Sequence, residues 1–146
     1  MIGYLDTSAL VPLLIAEPST AACRRFWDDA DVVVTSRLTY VETAAALAQA
    51  RRLKRISDRT HRASLGALDA RWAELATVEV DDPLVRDAAE LSRRHSLRGY
   101  DAIHCASARQ LRGADDLVAA AGDHLLLRAW LAVGIDTYDT NQPADY

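Results

Sequence analysis

Apolar and polar positions alternate in short bursts separated by longer helical periods, and the rhythm repeats from one end of the chain to the other. Ile2 to Leu5 is an apolar run closed by Asp6-Thr7-Ser8, a capping sequence, and Ala9 to Ile15 then predicts a helix with Pro12 tolerated in its first turns. Ser19 can cap a second helix, Thr20 to about Trp27, whose apolar side carries Cys23, Phe26 and Trp27. Val32-Val33-Val34 reads as a buried strand and Thr39 to Ala50 as an alanine-rich helix, while Ser57-Asp58 starts a long amphipathic segment running to Trp72. Thr77 to Val80 is a third strand. Asp81-Asp82-Pro83 puts proline at the first helical position of a helix to about His95, and after Leu97-Arg98-Gly99 another runs from Asp101 to about Leu111. Leu117 to Ala120 is a fourth strand, Asp123 opens a helix that stops before Gly134, and Ile135 to Tyr138 is a short last strand.

Strands alternating with helices predict a parallel sheet covered on both faces, hence an α/β fold built as a three-layer α/β/α sandwich with short strands. The 146 residues suit one domain with a sizeable core, expected over 1–140 with a polar tail at 141–146. No apolar run is long enough to cross a bilayer. Met1 leads straight into the first strand without the basic start and apolar stretch of a secretory signal, so a cytoplasmic location is expected. Cys23 and Cys105 have no metal-ligand spacing and are expected to be buried thiols.

Charge changes the picture by its distribution. The net charge of −4 argues against holding nucleic acid by bulk electrostatics. Yet nearly all the positive charge is arginine, in Arg51-Arg52-Leu53-Lys54-Arg55 and in Arg93-Arg94-His95 with Arg98, and the planar guanidinium suits bidentate phosphate contact. The competing explanation for either cluster is a solvated helix face.

Four acids stand out by position. Asp6, Glu42, Asp101 and Asp123 each fall where a strand should end or a helix begin, and in an alternating β/α chain those places share one edge of the sheet. Each also has a local explanation: the aspartates could be helix caps, and Thr39-Tyr40-Val41-Glu42 fits a capping box. Gathered together, they would make an all-oxygen pocket suited to Mg²⁺ or Mn²⁺ rather than zinc.

The windows around these acids resemble one family in the same order. Asp6-Thr7-Ser8-Ala9-Leu10 after a first strand resembles the opening motif of PIN-domain ribonucleases, Thr39-Tyr40-Val41-Glu42 its second acid, and Tyr100-Asp101-Ala102-Ile103-His104-Cys105-Ala106 its third-acid signature. Leu117 to Asp123 has the strand-acid form of the fourth, with Ala121 where many members carry threonine. The resemblance covers essentially the whole chain and is greatest to VapC-type toxins of prokaryotic toxin–antitoxin pairs. It implies a Mg²⁺- or Mn²⁺-dependent endoribonuclease in which Asp6, Asp101 and Asp123 are metal ligands, directly or through water. Glu42 would be a ligand or the group that orients the attacking water, Ser8 a polar or phosphate contact, and Arg98, with Arg93 and Arg94 nearby, a contact to the RNA backbone. The implied partners are RNA, a VapB-type antitoxin and a second copy of the chain, with Thr20 to Trp27 and Thr39 to Ala50 as candidate contact helices.

Less is expected of the other polar and aromatic residues. His104, one turn beyond Asp101, is expected to pack in a structural helix, His124 to face solvent, and Trp27, Trp72 and Trp130 to lie in core or interface. Two other functional classes compete. A receiver-like signalling domain also has an acidic pocket on an α/β edge, but it needs paired acids after the first strand and a lysine after the last, and here Asp6 stands alone and Lys54 is misplaced. A non-catalytic PIN-fold binding protein would keep the acids only as caps.

Overall fold

A computed structural model describes residues 1–142. Five parallel strands, β1 (Ile2–Leu5), β2 (Val32–Ser36), β3 (Ala76–Val78), β4 (Leu117–Ala121) and β5 (Asp136–Asp139), form one sheet in the order β3-β2-β1-β4-β5. Around it run α1 (Thr7–Leu10), α2 (Thr20–Asp29), α3 (Thr39–Arg52), α4 (Asp58–Trp72), α5 (Asp82–His95), α6 (Gly99–Gln110) and α7 (His124–Ala132). This is the α/β/α sandwich expected from the alternating pattern. No helix among the described residues is long and apolar enough to cross a membrane.

The pleat sorts the core. Tyr4, Val34, Ala119 and Ala121 face one side, where α5, α6 and α7 cover them with Leu91, Cys105, Leu126 and Trp130. Leu5, Val33 and Ala120 face the other, against α1, α2 and α4 with Leu10, Phe26 and Leu68. Val33 and Val34 are both buried because a parallel sheet is covered on both faces, whereas Val32, expected to be buried with them, is 48% exposed at the start of β2. At Gly3, in register between Val33 and Val118, a Cβ would stand 3.0 Å from both Ala30 and the Phe26 ring, so the close approach of α2 to β1 depends on the missing side chain.

Local chemistry sets the ends of several helices. Ser57 and Asp81 cap α4 and α5 by accepting from the amides of Thr60 and Leu84, and Ser96 takes the left-handed conformation (φ 54°) that stops α5. The helix expected over Ala9 to Ile15 begins two residues earlier, at Thr7. It is cut short at Leu10, where the chain tightens into a 3-10 turn over Val11–Leu13. Pro12 has no amide to continue the α ladder, and the turn closes through Leu14 N–H to the Val11 carbonyl. α6 begins at Gly99 rather than Asp101, so Asp101 occupies its first turn.

Strand order reverses beside β1. The chain builds β2 and β3 on one side, then returns to lay β4 and β5 on the other, so the carboxyl ends of β1 and β4 flank a topological switch point, the crevice where open α/β sheets bind ligands. Beyond β5, Thr140 N–H bonds the Ala121 carbonyl and the Asn141 side-chain amide donates to the Gly122 carbonyl at 2.9 Å, fastening this segment to the β4–α7 turn. The tail expectation beyond Gln142 lies outside the described residues.

Candidate active site

At the switch point lies a cavity of about 570 Å³ lined by Asp6, Glu42, Asp101 and Asp123, with Thr7, Ser8 and His104 among the walls. All four acids singled out in the sequence therefore open onto one space, although they stand just after β1, in α3, in α6 and at the start of α7.

Asp6 follows the last residue of β1 and is 5% exposed. It occupies the cap position of α1 without making a side-chain cap bond. Its Oδ1 instead accepts the Ser8 hydroxyl at 2.6 Å, while the Ser8 oxygen accepts the Gly122 amide at 2.8 Å, a bridge from β1 to β4. The Ser8 proton is thus engaged within the protein, which makes Ser8 a brace for Asp6 in this arrangement. Burial pushes the Asp6 carboxyl up to about 6, with the nearby Asp101 charge adding to it and the hydrogen bonds from Ser8 and the Ala9 amide opposing.

The capping box expected at Thr39 does not form. α3 starts after Leu38 with no side-chain cap, because the Thr39 hydroxyl turns inward to the buried Thr35 hydroxyl at 2.7 Å. Glu42 is released to the cavity, where Oε1 takes a hydrogen bond from Thr7 Oγ1 at 3.0 Å and lies 2.8 Å from His104 Nε2. Asp101 is half-buried, its carboxyl raised by burial and by Asp123 and partly relieved by Arg98. Asp123 does serve as a cap, its Oδ1 accepting from the amides of Leu125 and Leu126 at 2.8 and 3.2 Å. That duty leaves Oδ2 for the pocket.

Arg98, 87% exposed along its side chain, stands over the rim with its guanidinium 3.5 Å from Asp101 and 4.0 Å from Asp123. Arg93 and Arg94 do not join it: both lie on the exposed side of α5, where Arg94 pairs with Glu90 at 3.8 Å. His124 is exposed beside Asp139, Trp130 is fully buried, and both cysteines are buried free thiols. Burial pushes the thiols up to about 11 at Cys23 and about 12 at Cys105, which makes them inert.

His104 is the residue whose role the sequence undersold. It is buried as expected, yet its ring spans from the core to the cavity, with Nδ1 2.8 Å from the Tyr4 hydroxyl and Nε2 on Glu42. The signal was its spacing, one helical turn after Asp101. Glu17, Ser19, Thr7, Thr140 and Asn141, which also line the wall, had no such signal.

The donor set is all oxygen and rich in negative charge, and no ion pair reaches Asp6 among the described residues. No three acidic or histidine side chains among those residues stand close enough to close a ligand shell around one ion. An all-oxygen carboxylate set is the donor chemistry that a hydrated divalent cation such as Mg²⁺ takes, bound directly by one or two carboxylates and through water by others.

Comparison with known proteins agrees with this geometry. The PIN domain family matches residues 3–128. Ribonucleases VapC45 and VapC49 of Mycobacterium tuberculosis are each 37% identical over 123 residues, 84% of this chain and 85% of theirs. The crystal structure of M. tuberculosis VapC20, described as a sarcin-ricin loop cleaving toxin, superposes with a TM-score of 0.67 at 26% identity over 91% of this chain and 95% of that one. VapBC2 of Rickettsia felis, solved bound to a promoter DNA fragment, shares the fold with a TM-score of 0.62 at 12% identity over 95% of this chain and 98% of that one. With a family match across most of its length and relatives this similar, the chain belongs to the PIN-domain family as a VapC-type member.

Proposed function

We propose that this protein is a Mg²⁺- or Mn²⁺-dependent endoribonuclease, the toxin of a type II toxin–antitoxin pair. The observation that carries this reading is the meeting of Asp6, Glu42, Asp101 and Asp123 in one cavity at the switch point of a VapC-type chain. Hydrolysis of a phosphodiester needs an activated water and stabilisation of the charge that builds on phosphorus and the leaving oxygen. A bound divalent cation supplies both, by lowering the pKa of water and by Lewis-acid stabilisation. Asp6, Asp101 and Asp123 would hold it, directly or through water, and Glu42 would orient the attacking water. Ser8 keeps the Asp6 carboxylate aimed at the cavity. Arg98, exposed at the rim and already drawn to negative charge, contacts the RNA phosphates.

Capping alone does not account for the arrangement. Asp123 caps α7, but Asp6 makes no side-chain cap bond and Glu42 turns away from the helix start to meet Thr7 and His104. This favours the enzyme over a binding protein that retains the acids as caps. As partners we assign RNA, a VapB-type antitoxin and a second copy of the chain. The test is cleavage of a structured RNA in the presence of Mg²⁺ or Mn²⁺. Wild-type protein should cut and be silenced by chelation, while Glu42→Gln and Asp101→Asn, both folded, should not. Equal cleavage by wild type and Glu42→Gln would leave only the binding reading.

A further inference from the structure

We infer that His104, anchored by Tyr4, is a positioning residue that fixes the Glu42 carboxylate for its task in RNA cleavage; this rests on the nuclease reading above. A histidine that is 2% exposed is most simply a satisfied core residue, and one of its partners fits that description: Tyr4, fully buried, lies 2.8 Å from Nδ1. The second partner does not. Nε2 meets Glu42 Oε1 at 2.8 Å, and Glu42 lines the cavity.

Proton placement follows from the partners. A carboxylate only accepts hydrogen bonds, so the hydrogen between His104 and Glu42 sits on Nε2, and Nδ1 is left to accept from the Tyr4 hydroxyl. Tyr4 thereby selects the tautomer that can grip Glu42. The ring is held in place as well, since Tyr4 stands edge-on to Trp130 at 5.8 Å and the Trp130 indole N–H donates to the His104 carbonyl at 3.4 Å.

The grip is one-sided. Glu42 Oε1 is engaged by both Thr7 and His104, which leaves Oε2 as the oxygen free for the cavity. A glutamate facing a cavity from the first turn of α3 would otherwise sample several rotamers, and donors from two other elements restrict it to one. One helix, α6, thus supplies an acid through Asp101 and aims a second through His104, one turn later.

Steady-state cleavage of an RNA that the wild type cuts, at saturating Mg²⁺, tests this. His104→Leu should lower kcat roughly 10- to 100-fold, as loss of an orienting partner does, while KM for RNA stays unchanged. His104→Gln, whose amide can donate from the Nε2 position, should recover most of the loss, and Tyr4→Phe should fall between. Nitrogen-15 spectra of the metal-free protein should show the proton on Nε2 and a shift of that nitrogen in Glu42→Gln, a readout independent of activity and of whether His104→Leu folds. A wild type that cuts no RNA overturns the nuclease reading and this inference with it. A cutting wild type overturns the inference alone if His104→Leu keeps full kcat, if Leu and Gln lose equally, or if Nε2 carries no proton.

Discussion

Asp6 shows how a single side chain can link stability, metal and pH. Its carboxyl titrates near 6 in the fold against 3.8 for the unperturbed group, so the native state holds the proton more tightly than the unfolded chain. Stability from this group is therefore present below about pH 4 and lost as pH rises through 6, reaching a penalty on the order of 3 kcal/mol above that. In chelator, Asp6→Asn should melt above the wild type at pH 7.5 and alongside it near pH 4; matching curves at both pH values would show that the buried charge carries no such penalty. Arg98 operates at the same scale with opposite charge. Arg98→Ala should raise KM for RNA and reduce the slope of log affinity against log salt by about one, the signature of a lost phosphate contact. An unchanged slope would remove Arg98 from the RNA path.

Among the elements, α7 separates two roles of one residue. Asp123 caps the helix with Oδ1 and turns Oδ2 to the pocket, and asparagine caps as well as aspartate but carries no charge. Asp123→Asn should keep the melting temperature and lose cleavage, whereas Asp123→Ala should lose both, with about 1 kcal/mol of stability gone from the missing cap. Full activity in the asparagine variant would leave Asp123 a cap alone. Much of this was legible in the chain: strands at Ile2 and Leu117, the Asp81-Asp82-Pro83 helix start and the four acids at element ends all follow from period and capping chemistry. The unread parts depend on contacts distant in sequence. Thr39-Tyr40-Val41-Glu42 satisfies every local rule for a capping box, and only Thr35, Thr7 and His104, brought in by other elements, draw its side chains elsewhere. His104 likewise reads as core until Tyr4 and Glu42 appear at its two nitrogens.

For the molecule as a whole, five acids line one cavity in a chain of net charge −4 and repel one another without a cation; Glu17 is paired with Arg55, and Arg98 reaches Asp101 and Asp123. A divalent ion that binds only the folded state stabilises it by mass action, about 2.7 kcal/mol at a hundred times its dissociation constant. Mg²⁺ or Mn²⁺ should accordingly raise the melting temperature, more at pH 7.5 than at pH 5 because protons compete at Asp6, and Ca-free, chelated scans provide the baseline. No shift with either ion at pH 7.5 would remove the metal from the proposed chemistry. The clasp between Asn141 and Gly122 has a further consequence, in time rather than in space. Because it joins the segment after β5 to the turn that carries Asp123, and Gly122 is braced in turn by Ser8 beside Asp6, this corner of the cavity gains the Asn141 brace only once residue 141 has been made. A copy still being synthesised lacks that brace until β5 and the residues just after it have emerged.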